Sequence, residues 1–236
     1  MDFNFQAMIQ AIISSVRYLG TTLEISFVAL VIGIVLGLAI ALLRYYNVVV
    51  LSPVFQVLTT MFKGVPVVLI FLALYLFFST GFDPMAKSMG WSIRFKQINP
   101  MWIAIICLGL MAVVNGTEIF RGAFSSVRKG QLDAAQSIGM TRMQTIRRVL
   151  LPQAVPVAVP VFGNLLINLI KASALCSMVG VVDIFSAATI YGQQSYTFLE
   201  AYVGVALIYW AVVALIEQAS RLLERGLTVH MRRAVA

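Results

Sequence analysis

An all-α protein embedded in a lipid bilayer is the fold class that this sequence predicts, on three observations. First, the 236 residues are 61% hydrophobic and 11% charged, with a mean hydropathy of +0.94. Soluble domains lie near 45–50% apolar and about 25% charged, so no aqueous fold would bury this much apolar surface. Second, five apolar segments are each long enough to cross, since about 20 helical residues span a ~30 Å hydrocarbon layer. Third, the connector between the third and fourth segments is polar, basic and punctuated by glycine at intervals, as a folded element would be.

The elements follow in order along one membrane domain, residues 1–236. Phe5, Met8, Ile9, Ile12, Ile13 and Val16 recur at helical spacing, which suits an amphipathic helix on the bilayer surface or an extension of the first span. The first long apolar run, near 22–43, starts well inside the chain, lacks a basic n-region and is too long for a signal's apolar region, so it reads as a retained span rather than a cleaved signal. Spans are expected near 22–43, 54–78, 101–123, 155–182 and 198–219. The first carries Gly33 and Gly37, a G-x-x-x-G that permits close helix approach but identifies no partner. The second contains Lys63-Gly64-Val65-Pro66 about half-way along, and proline there removes a backbone donor and clashes with the preceding turn. Broken helices at membrane depth are tolerated where they are packed or line a cavity, and they mark substrate paths in transporters.

The fourth segment is the most polar. Pro152, Pro156, Pro160, Asn164, Asn168 and Lys171 follow one another at steps of four and finally three, which keeps them near one face. Val161, Leu165 and Leu169 form an apolar back. A charge at span centre costs about 2.5–3.5 kcal/mol on insertion scales and usually faces a bundle interior or water. Asn164 taken alone fits interhelical hydrogen bonding; Asn168, Lys171 and Ser173 together fit a solvated pathway, with Lys63 a further candidate.

Five spans put the termini on opposite sides. Arg44, the stretch from Arg121 to Arg148 and the tail with Arg221, Arg225, Arg232 and Arg233 share one side, against Arg17, Lys87, Arg94 and Lys96 on the other. The richer side is cytoplasmic, so the N-terminus is expected outside and the C-terminus inside. The net charge of +8 is accounted for in the same way, without nucleic acid.

Several chemistries find no support. Cys107 and Cys176 lie within apolar runs, where a thiol behaves as a small hydrophobe, and with His230 they make neither a disulfide framework nor a metal site. Gly81–Ser88, "GFDPMAKS", approaches a phosphate-binding loop but has Ala86 in place of glycine, an interrupting proline and no preceding strand. No convergent catalytic set is present, so a membrane-embedded enzyme is disfavoured. A scaffold subunit without a pathway remains the other alternative.

In the loop 124–151, Gly130 and Gly139 bracket a helix expected over 131–138, with Asp133 suited to its positive end and Gly139 to its stop. Thr141 and Gln144 fit a capping box for a second helix running to Leu150, before Pro152 opens the next span. Helices this short are unstable alone, so the loop reads as a stiff knob for a partner. Glu118 and Arg121, one turn apart, would brace its root.

On these residues the sequence resembles a known family. "EIFRGAFSSVRKGQLDAAQSIGMTRMQTIRRVLLPQA" is similar to the cytoplasmic loop of binding-protein-dependent ABC importer permeases, most of all the polar amino-acid uptake branch. Asp133-Ala134-Ala135 and Gly139 match the family's acidic-Ala-Ala…Gly pattern, with Asp for the commoner Glu. Glu118, Arg121, Gly130-Gln131 and Leu151-Pro152-Gln153-Ala154 match as well. The resemblance implies type I ABC importer permease architecture, in the cytoplasmic (inner) membrane. It further implies a second permease subunit, cytoplasmic ABC ATPases that carry ATP and Mg, an extracytoplasmic substrate-binding protein and an amino-acid substrate. This chain would bind no cofactor itself. Gly130, Gln131, Asp133, Ala134, Ala135 and Gly139 would form the coupling helix that touches the ATPase. Two departures stand out: relatives often read Arg-Gly-x-Pro where this chain has Lys63-Gly64-Val65-Pro66, and Lys-Asp-Thr-Ser-Leu where it has Lys171-Ala172-Ser173-Ala174-Leu175. Lysine lacks arginine's bidentate fork, and the missing carboxylate implies that strongly cationic substrates are disfavoured.

Overall fold

The computed structural model describes residues 3–235, with side chains through residue 224; the side chains of Arg225, His230, Arg232 and Arg233 lie outside it. Ten α-helices follow in order: α1 Phe5–Val16, α2 Leu19–Tyr45, α3 Leu51–Gly64, α4 Val67–Ser88, α5 Pro100–Ser125, α6 Lys129–Ser137, α7 Arg142–Thr145, α8 Leu151–Ala172, α9 Ile184–Ser195 and α10 Phe198–Val235. No strand occurs among the described residues. Five helical stretches are long and apolar enough to cross a membrane, as the hydropathy pattern predicts: Leu19–Tyr45, Val67–Ser88, Pro100–Ser125, Arg142–Val179 and Phe198–Glu224.

α1 is a helix of its own, capped by Asn4 Oδ1, which accepts from Ala7 N at 3.1 Å, and parted from α2 by a turn at Arg17–Tyr18. It packs on α9 and α10 through its small side. Ala7, Ala11 and Ser15 are buried, whereas Phe5, Ile9, Ile13 and Val16 of the predicted stripe are exposed. Large apolar residues gain nothing by leaving lipid, so small residues that admit close backbone approach make the contact instead. Gly204 of α10 supplies the groove, for a Cβ there would lie 3.1 Å from Ile12 Cγ1 and 3.2 Å from the Met8 carbonyl.

The most extensive helix pair is α2 with α5, and it resolves the G-x-x-x-G. A Cβ on Gly33 would stand 2.7 Å from Ala112 and one on Gly37 would stand 2.8 Å from Gly116 C. Two small-residue ridges therefore interlock, Gly33/Gly37 against Ala112/Gly116, beneath a core that includes Ile25, Ala29, Leu108 and Phe120.

The second predicted span is divided differently from expectation. Its break falls at Val65 (φ −95°, ψ 129°) and Pro66 (φ −55°, ψ 133°), before the crossing helix α4 rather than half-way along it. Proline pushes the residue before it out of the α region, and α3, with 14 residues, is only about 21 Å long, too short to cross. Gly81–Ser88 forms the last turns of α4.

Pro152 does not open a new helix. Residues 142–172 run on without a gap, through a π-helical turn at Ile146–Leu150. That widened turn lies directly before the proline, where a helix must accommodate the missing N–H and the ring. Beyond Ala172 the chain tightens to a 3₁₀ stretch, Ser173–Val179, and stops at Gly180 (φ +87°).

Candidate functional site

The loop between α5 and α8 is ordered by local bonds. α6 begins two residues earlier than expected, at Lys129, and ends in a two-bond left-handed cap: Met140 N donates to Ala135 O at 3.1 Å and Gly139 N to Gln136 O at 3.0 Å, with Gly139 at φ +82°. These bonds satisfy orphan carbonyls at the helix end, and glycine adopts the required φ without Cβ strain. The capping box is present too, Thr141 N donating to Gln144 Oε1 at 2.8 Å and Gln144 N to Thr141 Oγ1 at 3.3 Å.

The two faces of α6 separate the residues that the sequence grouped. Gly130, Gln131, Asp133, Ala134 and Gly139 are exposed, whereas Ala135 and Leu132 are buried, Leu132 within the main apolar core beside Val127, Ile146 and Leu150. Ala135 is thus the floor of the knob and not part of its outer surface. Ile138, which sequence reasoning passed over, is 76% exposed at the tip. An apolar residue bounded by Gly139 and a polar helix was the available signal. The C-terminus of α2 supports the loop: Tyr45 meets Phe124 edge-on at 5.6 Å, and the Arg142 guanidinium lies 5.9 Å from the centroid of the Tyr46 ring.

At the root, Glu118 gathers three cations. Its Oε1 accepts from Arg44 Nη1 at 2.7 Å, and its Oε2 meets Arg121 Nη2 at 2.9 Å, Arg121 Nε at 3.1 Å and Lys63 Nζ at 3.2 Å. The predicted Glu118–Arg121 pair is therefore joined by Arg44 from the last turn of α2 and by Lys63 from the last turn of α3. Arg44 went unrecognised because its partner is far off in sequence. Lys63 also borders a cleft of ≈ 190 Å³ with Val65, Val67, Met111 and Asn115. Asn115 Nδ2 donates to Met111 O at 2.8 Å.

On α8, Asn164, Asn168 and Lys171 share an exposed face, and Leu165 and Leu169 are buried behind it. Val161, expected at the back, is 43% exposed. Ser173 does not join the polar face. It is fully buried, its Oγ bonded to Ile170 O at 2.9 Å and to Asp183 Oδ2 at 3.3 Å. Ser173 follows Lys171 by two residues and Asn168 by five, spacings that fall away from their face even in α-helical register, and the chain tightens to 3₁₀ from this residue on. Asp183, also fully buried, accepts from Ser186 N at 2.9 Å and from Tyr209 Oη at 3.3 Å. This knot joins α8, α9 and α10. An acid between apolar runs with serine three residues later was the signal for it.

Comparison with known proteins places this geometry. Residues 7–229 match the family described as binding-protein-dependent transport system inner membrane component. A probable amino-acid ABC transporter permease protein, YckA of Bacillus subtilis (strain 168), is 34% identical over 223 residues, covering 94% of this chain and 93% of YckA. The histidine/lysine/arginine/ornithine transport system permease protein HisQ of Salmonella typhimurium is 32% identical over 213 residues, covering 90% and 92%. Among solved structures, a crystal structure of an amino acid ABC transporter with histidines superposes with TM-score 0.79 at 27% identity, covering 95% of this chain and 99% of that one. The MetNI methionine ABC transporter in an inward-facing form shares the fold, with TM-score 0.74 at 24% identity and 91% and 96% coverage. The chain is therefore a transport component rather than an enzyme: a multi-pass inner membrane subunit of the binding-protein-dependent transport system family, with type I ABC importer permease architecture.

Proposed function

We propose that this chain is the permease subunit of an ATP-driven amino-acid importer, coupled to a cytoplasmic ATPase through α6. The observation that carries the reading is the two-faced loop helix. Leu132 and Ala135 anchor α6 inward, while Gly130, Gln131, Asp133, Ala134, Ile138 and Gly139 stand outward on a braced knob. Small residues on the outer face admit a close partner, and the left-handed cap keeps the knob stiff enough to transmit displacement. The amino-acid class rests on relatives such as YckA, HisQ and the L-cystine transport system permease protein TcyL of Bacillus subtilis (strain 168), 32% identical over 219 residues.

ATP and Mg belong to the ATPase partner, and this chain needs no cofactor of its own. Its contribution is two arrangements of the spans, which nucleotide-driven docking and an external binding protein stabilise differentially. The excess of basic residues on the loop side puts α6 and the C-terminus in the cytoplasm and the N-terminus outside. The exposed face of Asn164, Asn168 and Lys171 lines the pathway against a second permease subunit, identical or different. With Lys171 on that face and Ala172 in place of a carboxylate, the pathway favours zwitterionic over strongly cationic solutes. The test is ATP-dependent uptake in proteoliposomes holding the permease, its ATPase and its binding protein, screened over the standard amino acids and L-cystine. A cross-linker at Ala134 is expected to capture the ATPase. Failure of both, or labelling of α6 from the exterior, overturns the reading.

A further inference from the structure

The Glu118 cluster joins parts of the molecule that the chain itself leaves poorly connected. α5 is unbroken from Pro100 to Ser125 and is followed, after three residues, by α6. Glu118 stands seven residues above the end of α5, about 10 Å along its axis. From there its carboxylate holds Arg44 on α2 and Lys63 on α3, and Arg44 Nη1 also donates to Thr59 Oγ1 of α3 at 3.3 Å. Lys63 is three residues before Pro66. Across Val65 and Pro66 the backbone is extended, and helical bonding resumes only with Leu69 N donating to Pro66 O at 2.9 Å. The covalent link from α3 to α4 is therefore a hinge, and α3 offers little packing of its own, with Thr59 its one buried residue. The link that fixes the hinge's near side to α5 is ionic.

Burial grades across the cluster. The side chains of Arg44 and Glu118 are 13% and 20% exposed, against 46% for Lys63 and 56% for Arg121. The inner pair is partly shielded from solvent, where charge pairs are screened less than on an open surface. One carboxylate serves three cations, so its loss leaves mutually repelling charges at the ends of α2, α3 and α5. A shared counter-ion of this kind acts on all three helices together.

We propose that Glu118 is a positioning residue that ties the α3–α4 hinge and the end of α2 to the root of the coupling loop. Displacement of α6 along α5 then carries α3 and the end of α2 with it, so that Val65–Pro66 moves as a held pivot for α4. Lys63 is the hinge-side contact of this tie. The inference rests on the proposed coupling of α6 to an ATPase, and it adds which bond carries the motion onward.

The experiment measures amino acid transported per ATP hydrolysed by the reconstituted complex, using the amino acid that wild type takes up best in the screen above. For Glu118→Gln, which keeps shape but removes the charge, hydrolysis continues while the transport ratio falls about tenfold, within the 5–150-fold usual for coupling between sites. Glu118→Asp restores most of the ratio. Lys63→Gln, a change at a half-exposed side chain, lowers it about threefold, in the range of an exposed ion pair, and Lys63→Arg restores it. Gln at both positions together loses no more than Glu118→Gln alone, since both act through one tie. A wild-type ratio in Glu118→Gln overturns the proposal, as does a proportional fall of uptake and hydrolysis, which would mark a purely structural residue. If Glu118→Gln does not assemble, Lys63→Gln decides, and an unchanged ratio there overturns the proposal. A wild-type complex that hydrolyses ATP without uptake refutes the importer reading itself, a distinct outcome.

Discussion

Adding one methyl group at Gly37 is expected to loosen the best-packed seam of this protein, and the size of the effect follows from its geometry. An alanine Cβ at Gly37 would lie 2.8 Å from Gly116 C and Thr117 N, and 3.1 Å from Gly116 Cα. All three are backbone atoms of α5 that no rotamer change moves. Carbon contacts relax near 3.5–4.0 Å, so α2 and α5 must part by about 0.7–1.2 Å over this turn. Overpacking of that order costs about 1–3 kcal/mol. At 2–4 °C per kcal/mol for a chain of this size, the denaturation midpoint of the detergent-solubilised permease should fall by roughly 2–12 °C. Gly116→Ala belongs to the same class, because its Cβ would clash with the Gly33 carbonyl oxygen. Gly20 on α2 and Gly122 on α5 are the internal controls, since nothing lies within 4 Å of a Cβ at either. Gly20 lies in the first turn of α2 and Gly122 in the last turn of α5, so alanine there should gain at most the roughly 0.5–1 kcal/mol of a mid-helix position, leaving the midpoint unchanged or raised by up to about 4 °C. A fall at the seam with none at the controls on the same two helices isolates the seam from general effects of glycine replacement. A Gly37→Ala midpoint at or above that of wild type would refute the packing argument.

The loop and the polar face give two further tests. Gly139 is at φ +82° with open space around it, so the cost of substitution there is conformational: Gly139→Val strains the left-handed cap by about 1–2 kcal/mol, and membrane insertion stays intact while uptake per ATP falls, whereas Gly139→Asn, which tolerates that φ, stays near wild type. Cysteine at Asn168 should react with a small polar thiol reagent, and cysteine at Ser173 should be inert because that position is fully buried; native Cys107 and Cys176 are buried and add little background. Unreactive Asn168→Cys in the assembled complex would support a dry scaffold face over a pathway.

Local signals in the sequence were legible wherever one segment settles its own backbone bonds. The capping box at Thr141 and Gln144 and the stop at Gly139 are both closed by residues within five positions of one another. The proline-driven break at Val65–Pro66 was legible in kind but misplaced in depth, because hydropathy runs across it and does not report where a crossing helix begins. The grouping of Ala134 with Ala135 failed for a related reason. Composition sees two alanines, while the helix turns one of them inward.

By itself, then, the sequence determined that the solvent is lipid, that the chain crosses it as helices, and where the loop helices stop and start at Gly139 and Thr141. A bilayer offers the backbone no water to bond, so each segment must satisfy its donors and acceptors internally, and that condition is written locally. Tertiary structure decided the rest: that Gly33 and Gly37 meet Ala112 and Gly116, that Lys63 and Arg44 converge on Glu118, and that Ser173 turns to Asp183. Among lipid-immersed helices no hydrophobic gradient selects the partner. Close steric fit and shared counter-charges do so, and both arise between residues that the chain holds far apart.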